Sequence, residues 1–275
     1  MTQRSILITG CSSGIGLDAA RTLKARGWHV IATARKPDDI ARLKSEDGLD
    51  VLHLELADPA SIEACARGAL QMTDGKLGAL FNNAAYGQPG AVEDITPEVL
   101  RHQIEVNLIG THDLTRRVIP SMRKNGHGRI VQCSSVLGMV AVPYRGSYCA
   151  SKFALEALTA SMRLELEGTG IKVALIEPGP IRSRFVETAL ASFVKNVDME
   201  TSAHRGIYKA RAGSMKTGGK SLFKLEPAAV TVKLIHAIES SRPRRHYYVT
   251  TPTYAAAALK RVLPPAAMDY LAKKL

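Results

Sequence analysis

Short apolar, β-branched runs alternate with amphipathic stretches along most of the chain. The runs typical of buried strands are SILITG, HVIATA, VLHLEL, LGALFN, RIVQCS, KVALIE and HYYVTT. Between them, segments such as LDAARTLKARG have the periodicity of helices with one apolar face. Asp58-Pro59 and Thr96-Pro97 are typical helix starts, in which a capping oxygen precedes a proline at the first helical position. This alternation predicts an α/β protein: a doubly wound parallel sheet (Rossmann fold) of about seven strands with helices on both faces.

One segment interrupts the alternation of strands and helices. Residues 186–224 are polar and basic and contain no strand pattern, and we interpret them as a lid or loop over the site. After the last strand, residues 251–275 predict a helical tail of two short helices separated by Pro264-Pro265. No segment has the composition of a linker. We therefore expect residues 1–275 to form a single domain.

Composition narrows the class of protein. The 275 residues are 45% hydrophobic and 23% charged, which is typical of a globular protein with a sizeable core. The polar start does not resemble a signal peptide, and no apolar run is long enough to span a bilayer. The four cysteines have no metal-ligand spacing, and the eight histidines form no cluster in the sequence. We expect a cytoplasmic protein without a metal site.

The positive charge is concentrated in the C-terminal part. Residues 201–275 carry 14 Lys and Arg against 3 Asp and Glu, a balance of +11, so the first 200 residues carry only +1 of the net +12. Such a surface can attract anionic lipid, an acidic carrier protein or nucleic acid, but a solvated surface is the favoured interpretation. A nucleic-acid partner is not predicted, because no basic motif is interleaved with aromatic residues.

The first strand leads into a glycine-rich turn, TGCSSGIG, and then a helix. Such a turn lets backbone N–H groups and the helix dipole meet a pyrophosphate. The first glycine allows the turn, the second the close approach of the cofactor, and the third the packing of helix on strand. The predicted phosphate-binding residues are Gly10, Ser12, Ser13, Gly14, Ile15 and Gly16.

The end of the second strand favours NADP(H) as the cofactor. NAD enzymes of this fold usually have an acidic residue there to hold the ribose hydroxyls, whereas this strand ends in Thr33-Ala34-Arg35-Lys36. Arg35 can bind a 2′-phosphate with two parallel hydrogen bonds, and Ser12 can add a hydroxyl donor.

Tyr148 and Lys152 are candidates for proton transfer. Their spacing of four residues places them on one face of a predicted helix, FALEALTASMRLELE and the residues before it. A free tyrosine has a pKa near 10, and a neighbouring ammonium group favours the phenolate. Ser135, at the end of the fifth strand, is a suitable donor to a substrate oxygen.

Together these motifs resemble the short-chain dehydrogenase/reductase family in its single-domain form. TGCSSGIG, NNAAYG and PGPIRS resemble its TGxxxGxG turn, its NNAG element and its nicotinamide-contacting segment, over roughly the first 185 residues. Asn107, Ser135, Tyr148 and Lys152 match its Asn–Ser–Tyr–Lys tetrad in order and spacing. Ala85 stands where glycine is usual, and Ser183 replaces a usual threonine.

The resemblance implies a role for each residue of the tetrad. Tyr148 would be the general acid in reduction and the general base in oxidation, with Ser135 polarising the carbonyl. Lys152 would bind the nicotinamide ribose and lower the pKa of Tyr148, and Asn107 would hold a water that links Lys152 to solvent. The resemblance places further cofactor contacts at Glu55, Leu56, Asn83, Ala84, Pro178, Gly179, Ile181 and Ser183.

The substrate is expected at the carboxyl ends of the strands. We predict a mostly apolar pocket lined by Tyr86, Gln88, residues 136–144 and the segment after Ser183. It would suit a hydrophobic aldehyde or ketone, such as a medium-chain aldehyde, a retinoid or a steroid-like ketone. The tail resembles that of aldehyde and retinaldehyde reductases and of steroid-dehydrogenase-like members. The alternatives are a 3-ketoacyl carrier-protein reductase and a non-catalytic NADP(H)-binding regulator.

Two kinds of partner remain open. The family commonly forms dimers or tetramers, so a homodimer or homotetramer is expected. The tail presents Leu259, Val262 and Leu263 beside Lys260 and Arg261. These residues can contact a membrane surface, or they can cover the domain or a subunit interface.

Overall fold

A computed structural model describes residues 4–216 and 223–273 of the chain. Every predicted strand is present. The seven strands are β1 (Ser5–Ile8), β2 (His29–Ala34), β3 (Asp50–His53), β4 (Ala79–Asn82), β5 (Gly128–Cys133), β6 (Ile171–Glu177) and β7 (His246–Tyr248). They form one sheet in the order β3-β2-β1-β4-β5-β6-β7, and every neighbouring pair is parallel. The predicted doubly wound parallel sheet is confirmed.

Helices cover both faces of this sheet. They are α1 (Gly14–Ala25), α2 (Pro37–Ser45), α3 (Pro59–Met72), α4 (Pro97–Ile104), α5 (Thr111–Lys124), α6 (Gly146–Glu165), α7 (Phe185–Asn196), α8 (Arg205–Lys216), α9 (Ala228–Glu239), α10 (Thr251–Val262) and α11 (Pro265–Ala272). Both predicted proline starts are confirmed. The side chain of Asp58 accepts a hydrogen bond from the backbone of Ala60, and that of Thr96 accepts one from Val99.

The core lies in two layers, one on each face of the sheet. Along β1, Ile6 and Ile8 point into a cluster with residues of α1 and α9, while Leu7 points into a cluster with residues of α3 and α5. Because strands buried on both faces need apolar residues at every position, they appear in the sequence as continuous apolar runs. This packing fixes the carboxyl ends of β1, β4 and β5, where the predicted site residues lie.

The predicted lid segment, 186–224, is largely helical where it is described. It contains α8 and most of α7, and residues 217–222 lie outside the described part. Phe193, Val197 and Tyr208 pack with Ala91 in a small apolar cluster apart from the sheet. Asp94 accepts hydrogen bonds from the hydroxyl groups of Ser202, at 2.7 Å, and Tyr208. The segment is therefore packed against the loop that follows β4.

The tail forms two short helices as predicted, α10 and α11, but the break lies at Leu263 and Pro264, and Pro265 is already the first residue of α11. Val262 is exposed, and the ammonium group of Lys260 lies 5.0 Å from the ring centre of Phe153 on α6. Among the described residues, no helix is long and apolar enough to cross a membrane.

Candidate active site

The turn after β1 has the geometry of an anion site. Gly10 and Gly14 adopt positive φ angles of +74° and +57°, which favour glycine. Helix α1 begins at Gly14, and the side chain of its N-cap residue, Ser13, makes no capping hydrogen bond. The first turn contains no acidic residue. Its N–H groups and dipole are therefore available to a pyrophosphate, and the predicted cofactor fits this turn.

Other predicted cofactor segments meet at this turn. The hydroxyl of Thr9 accepts hydrogen bonds from the backbone N–H groups of Asn83 and Ala84, both at 2.9 Å. A Cβ added at Gly10 would lie 3.0 Å from Ala84, and one added at Gly14 would lie 2.9 Å from the Cβ of Ser183. The structure thus brings NNAAYG and PGPIRS to the glycine turn.

Gly16→Ala tests the packing of this turn. A Cβ at residue 16 would lie 2.2 Å from the carbonyl oxygen of Gly10 and 2.8 Å from the side-chain nitrogen of Asn83. Since the nearest atom is backbone, the turn must shift, and we expect destabilisation of roughly 1–3 kcal/mol with weaker NADPH binding. Thermal unfolding and NADPH titration measure both effects. Gly206→Ala is the control, because a Cβ there meets nothing within 4 Å. Equal behaviour of the two variants would contradict the prediction.

The remaining residues of the segment after β6 are held by other elements. The carbonyl of Pro178 accepts a hydrogen bond from Val136 at 2.9 Å. A Cβ added at Gly179 would lie 2.1 Å from the hydroxyl of Thr250, so only glycine fits there. Ile181 pairs with Leu225 in an isolated parallel bridge. These contacts fix the segment that leads into α7.

Arg35 meets a carboxylate from the neighbouring strand. Its guanidinium lies 3.1 Å from the carboxylate of Glu55, which follows β3. This contact arises because β2 and β3 are neighbours in the sheet, so residues just beyond their carboxyl ends meet. The Arg35 side chain is 65% exposed, so this ion pair is weak and leaves the guanidinium free to move. Leu56, the next predicted adenine contact, is buried beside Gly110.

Arg42 is a candidate cofactor residue that the sequence analysis missed. It lies on α2, and its guanidinium donates a hydrogen bond of 2.7 Å to the carbonyl of Ser12 in the glycine turn. It also contacts Asp39 at 3.2 Å. One feature of the sequence could have pointed to Arg42. The helix start at Pro37 places Arg42 more than one turn into the helix that follows β2. The structure therefore holds two guanidinium groups near the end of β2.

Tyr148 and Lys152 both lie on α6 and are buried, with 8% and 3% of their surface exposed. The ammonium group of Lys152 lies 5.8 Å from the ring centre of Tyr148 and donates a hydrogen bond of 2.7 Å to the carbonyl of Cys133 at the end of β5. Burial lowers the pKa of Lys152, and the neighbouring Cys133 and, after it, Glu156 oppose that change. The predicted pair is thus assembled next to the sheet.

Burial raises the pKa of Tyr148 above its ordinary value, while the hydroxyl of Ser135 and the charge of Arg145 lower it. A lowering of the Tyr148 pKa by Lys152, whose ammonium group lies 5.8 Å from the ring centre, stays a prediction. Ser135 caps the short 3-10 helix Val136–Gly138, and its hydroxyl accepts a hydrogen bond from Leu137 at 3.1 Å. Ser135 is therefore positioned beside Tyr148.

Asn107 is buried in a π-helical segment, Glu105–Gly110, that joins α4 to α5. Its amide donates to the carbonyl of Tyr86 at 2.8 Å and to the hydroxyl of Ser151 at 3.2 Å, and its oxygen accepts from the Tyr86 backbone at 3.1 Å. The side chain thus ties the loop after β4 to α6. Such local π-helical turns occur frequently at functional sites, but apolar periodicity does not reveal them.

The residues predicted to line the substrate pocket differ in their surroundings. Phe185, the first residue of α7, packs edge-on against Tyr148 with ring centres 5.4 Å apart. The hydroxyl of Tyr86 is buried without a hydrogen-bond partner, and burial raises its pKa to about 12. Gln88, however, is fully buried, and its amide is bonded to Pro89 and Asn196. Gln88 therefore supports the loop and does not line an open pocket.

Comparison with known proteins agrees with this geometry. Residues 4–192 match the family model for short chain dehydrogenases. The chain belongs to the short-chain dehydrogenase family. It is 43% identical to the uncharacterized oxidoreductase YbbO of Escherichia coli K12, over 97% of this chain and 93% of that protein. It is 31% identical to human 17-beta-hydroxysteroid dehydrogenase type 1, over 98% of this chain and 84% of that protein.

Solved structures of the family share the fold. A short-chain dehydrogenase from Burkholderia phymatum in complex with NAD has a TM-score of 0.78 at 24% identity, over 95% of this chain and 94% of that one. An actinorhodin polyketide ketoreductase with NADPH has a TM-score of 0.72 at 26% identity, over 90% and 95%. Members with either nicotinamide cofactor thus resemble the chain, which is an oxidoreductase of this family.

Proposed function

We propose that the chain is an NADP(H)-dependent reductase of hydrophobic aldehydes or ketones, which also runs in the direction of alcohol oxidation. The observation that carries the proposal is the placement of Tyr148, Lys152 and Ser135 at the carboxyl end of β5, with the glycine turn at the carboxyl end of β1 on the same edge of the sheet, and β4 between the two strands. When bound, the nicotinamide supplies or accepts the hydride.

The protein's own side chains handle the proton. In reduction, the hydroxyl of Tyr148 donates its proton to the substrate oxygen, and the hydroxyl of Ser135 donates a hydrogen bond to the same oxygen. Lys152 holds the cofactor ribose and balances the negative charge that forms on Tyr148. Asn107 fixes the loop after β4 against α6 and so holds the site's geometry. In oxidation, Tyr148 accepts the proton.

The preference for NADP(H) rests on charge at the end of β2. Arg35 can exchange its exposed contact with Glu55 for a 2′-phosphate, because a phosphate offers a guanidinium two strong acceptors. Arg42 lies beside Ser12, so a second guanidinium and a hydroxyl group are available on the turn side. The ketoreductase that holds NADPH provides a precedent within the family.

The hydrophobic substrate is supported by the side chains near Tyr148 and by one relative. The Phe185 ring contacts Tyr148, and Val140 is a buried apolar residue of the loop after β5. The human relative is a 17-beta-hydroxysteroid dehydrogenase. Cytoplasmic location, a homodimer or homotetramer, and contact of the basic tail with a membrane surface belong to the same proposal. The four cysteines are buried and free, which suits a reducing compartment.

The test is oxidation of NADPH and NADH by the purified protein with a panel of carbonyl compounds. The panel contains aliphatic aldehydes, retinal, steroid ketones, and a 3-ketoacyl group on both a simple thioester and its acidic carrier protein. We expect turnover with NADPH and apolar carbonyls, and much slower turnover with NADH. Salt-sensitive use of the carrier-bound substrate alone would favour the carrier-protein reductase. Tight NADPH binding without turnover of any compound would favour a non-catalytic regulator.

A further inference from the structure

A second group of titratable side chains lies close to the catalytic pair. Glu156 is on α6, one helical turn beyond Lys152, Glu177 ends β6, and His246 begins β7. One ligand-type atom from each of Glu156, Glu177 and His246 lies within 4.8 Å of those of the other two. We call these three residues the carboxyl cluster. Neither the glycine turn nor the proton transfer described above uses it.

His246 is the member of the cluster that reaches solvent, and it contacts the buried Glu177. Glu177 is fully buried, and its carboxylate accepts hydrogen bonds from the ring Nδ1 of His246 at 2.6 Å and from the backbone of Tyr247 at 3.1 Å. The His246 side chain is 38% exposed. The cluster is therefore buried at Glu177 and open to solvent at His246.

Glu156 is the member that faces the hydroxyl of Ser134. Its Oε1 atom and that hydroxyl are both buried, and the hydroxyl acts to lower the pKa of Glu156. A Cβ added at Gly138 would lie 2.6 Å from that hydroxyl and 3.3 Å from Oε1, so both atoms face the same small space. Burial and the adjacent Glu177 raise the pKa of Glu156 to about 7. This carboxyl group therefore changes charge near neutral pH.

Several charged and titratable groups surround the cluster, and they favour a proton over a metal ion as its occupant. They are Lys152 and Arg163 on α6, Cys133 at the end of β5, and Arg245 and Tyr248 at β7. The guanidinium of Arg163 has a buried nitrogen atom without a partner. A divalent cation in the cluster would be repelled by the positive charges of Lys152, Arg163 and Arg245. A protonated carboxyl group is uncharged and would not be repelled.

We propose that Glu156 is a positioning residue for Lys152: its negative charge, set by proton exchange within the carboxyl cluster, keeps Lys152 protonated as the pH rises. The proposal rests on the proposed function, since it concerns the residue that holds the ribose and balances Tyr148. Burial alone would favour loss of the Lys152 proton, whereas Cys133 and the charge of Glu156 act in the opposite direction. Glu156 ionises as the pH rises through about 7, and its negative charge then favours the protonated form of Lys152.

Thermal unfolding of the full chain between pH 5 and 9 tests the titration of Glu156 without any need for turnover. The pKa of Glu156 is raised from 4.5 to about 7 in the folded state, so folding is disfavoured progressively as the pH rises from about 4.5 to about 7. Glu156→Gln removes this penalty. The difference in melting temperature between Glu156→Gln and the wild type should therefore grow by a few degrees as the pH rises to about 7, and it should stay constant at higher pH. Glu165→Gln, an exposed change on the same helix, is the control and should show no such trend. A difference that does not depend on pH would overturn the proposal.

The pH profile of carbonyl reduction tests the coupling to Lys152. In Glu156→Gln, the loss of activity at alkaline pH should begin about 1 pH unit lower than in the wild type, and in Glu165→Gln it should not move. An unchanged alkaline limb in Glu156→Gln would overturn the role toward Lys152. Absence of turnover in the wild type would refute the proposed function, and the unfolding test would still decide on the cluster.

Discussion

Tyr148→Phe is expected to lower kcat/KM for carbonyl reduction by about 10²–10⁴-fold, with NADPH affinity changed by no more than a few-fold. The variant keeps the ring that packs against Phe185 and lacks only the hydroxyl that donates the proton. Because the substrate oxygen then has no acid beside Ser135, the barrier to the chemical step rises while the cofactor site stays intact. Steady-state kinetics and NADPH titration on the same preparation measure the two quantities.

The control for this variant is Tyr254→Phe. Tyr254 lies on α10 and is 46% exposed, so the same atom is removed at a residue with no assigned catalytic or cofactor role. Its kinetics should match those of the wild type. If Tyr148→Phe retained more than about a tenth of the wild-type kcat/KM, Tyr148 would not be the general acid.

Arg35→Gln is expected to reduce the preference for NADPH over NADH, expressed as the ratio of the two kcat/KM values, by roughly 10- to 100-fold. A charge-assisted hydrogen bond contributes about 1.5–3 kcal/mol, and each 1.4 kcal/mol corresponds to a factor of ten. The change should come from a higher KM for NADPH, because the 2′-phosphate binds equally in the ground state and the transition state. Steady-state kinetics with NADPH and with NADH, each at a saturating concentration of the carbonyl substrate, give kcat and KM separately for the two cofactors.

Arg67→Gln provides a matched control for Arg35→Gln. Arg67 is 63% exposed and lies 3.8 Å from Glu63, so it resembles Arg35 in exposure and in having a glutamate partner. Arg67→Gln should leave the ratio of the kcat/KM values for NADPH and NADH unchanged. A ratio in Arg35→Gln equal to that of the wild type would remove the structural basis for NADP(H) preference at the end of β2.

The sheet could be predicted because strands buried on both faces need apolar residues at nearly every position. That requirement is visible in β1, β2 and β6 without knowledge of their neighbours. The proline starts at Asp58 and Thr96 were equally visible, since capping is local chemistry. The helices α7 and α8 were not predicted, because the segment's polar composition conceals the few residues, such as Phe193 and Tyr208, that pack together.

The residues of the candidate site could be predicted from the sequence more fully than the contacts between them. The spacing of Tyr148 and Lys152 determines their common helix face, and the glycine turn has a sequence signature. Contacts between different elements have no such signature. Glu55 meets Arg35 only because β2 and β3 pair, and Arg42 reaches Ser12 only because α2 lies beside the turn. The carboxyl cluster likewise draws its three residues from α6, β6 and β7.

The central claim is that the protein transfers a hydride from NADPH to a carbonyl carbon while Tyr148 delivers the proton. The most direct test uses NADPH that carries deuterium at the transferring position of C4, with the best aldehyde or ketone of the panel, and mass spectrometry of the product alcohol. We predict one deuterium atom on the carbinol carbon, formed in step with NADPH consumed, and a yield at least about 100-fold lower in Tyr148→Phe over the same time. An alcohol without deuterium, or NADPH consumption without alcohol, would contradict the account.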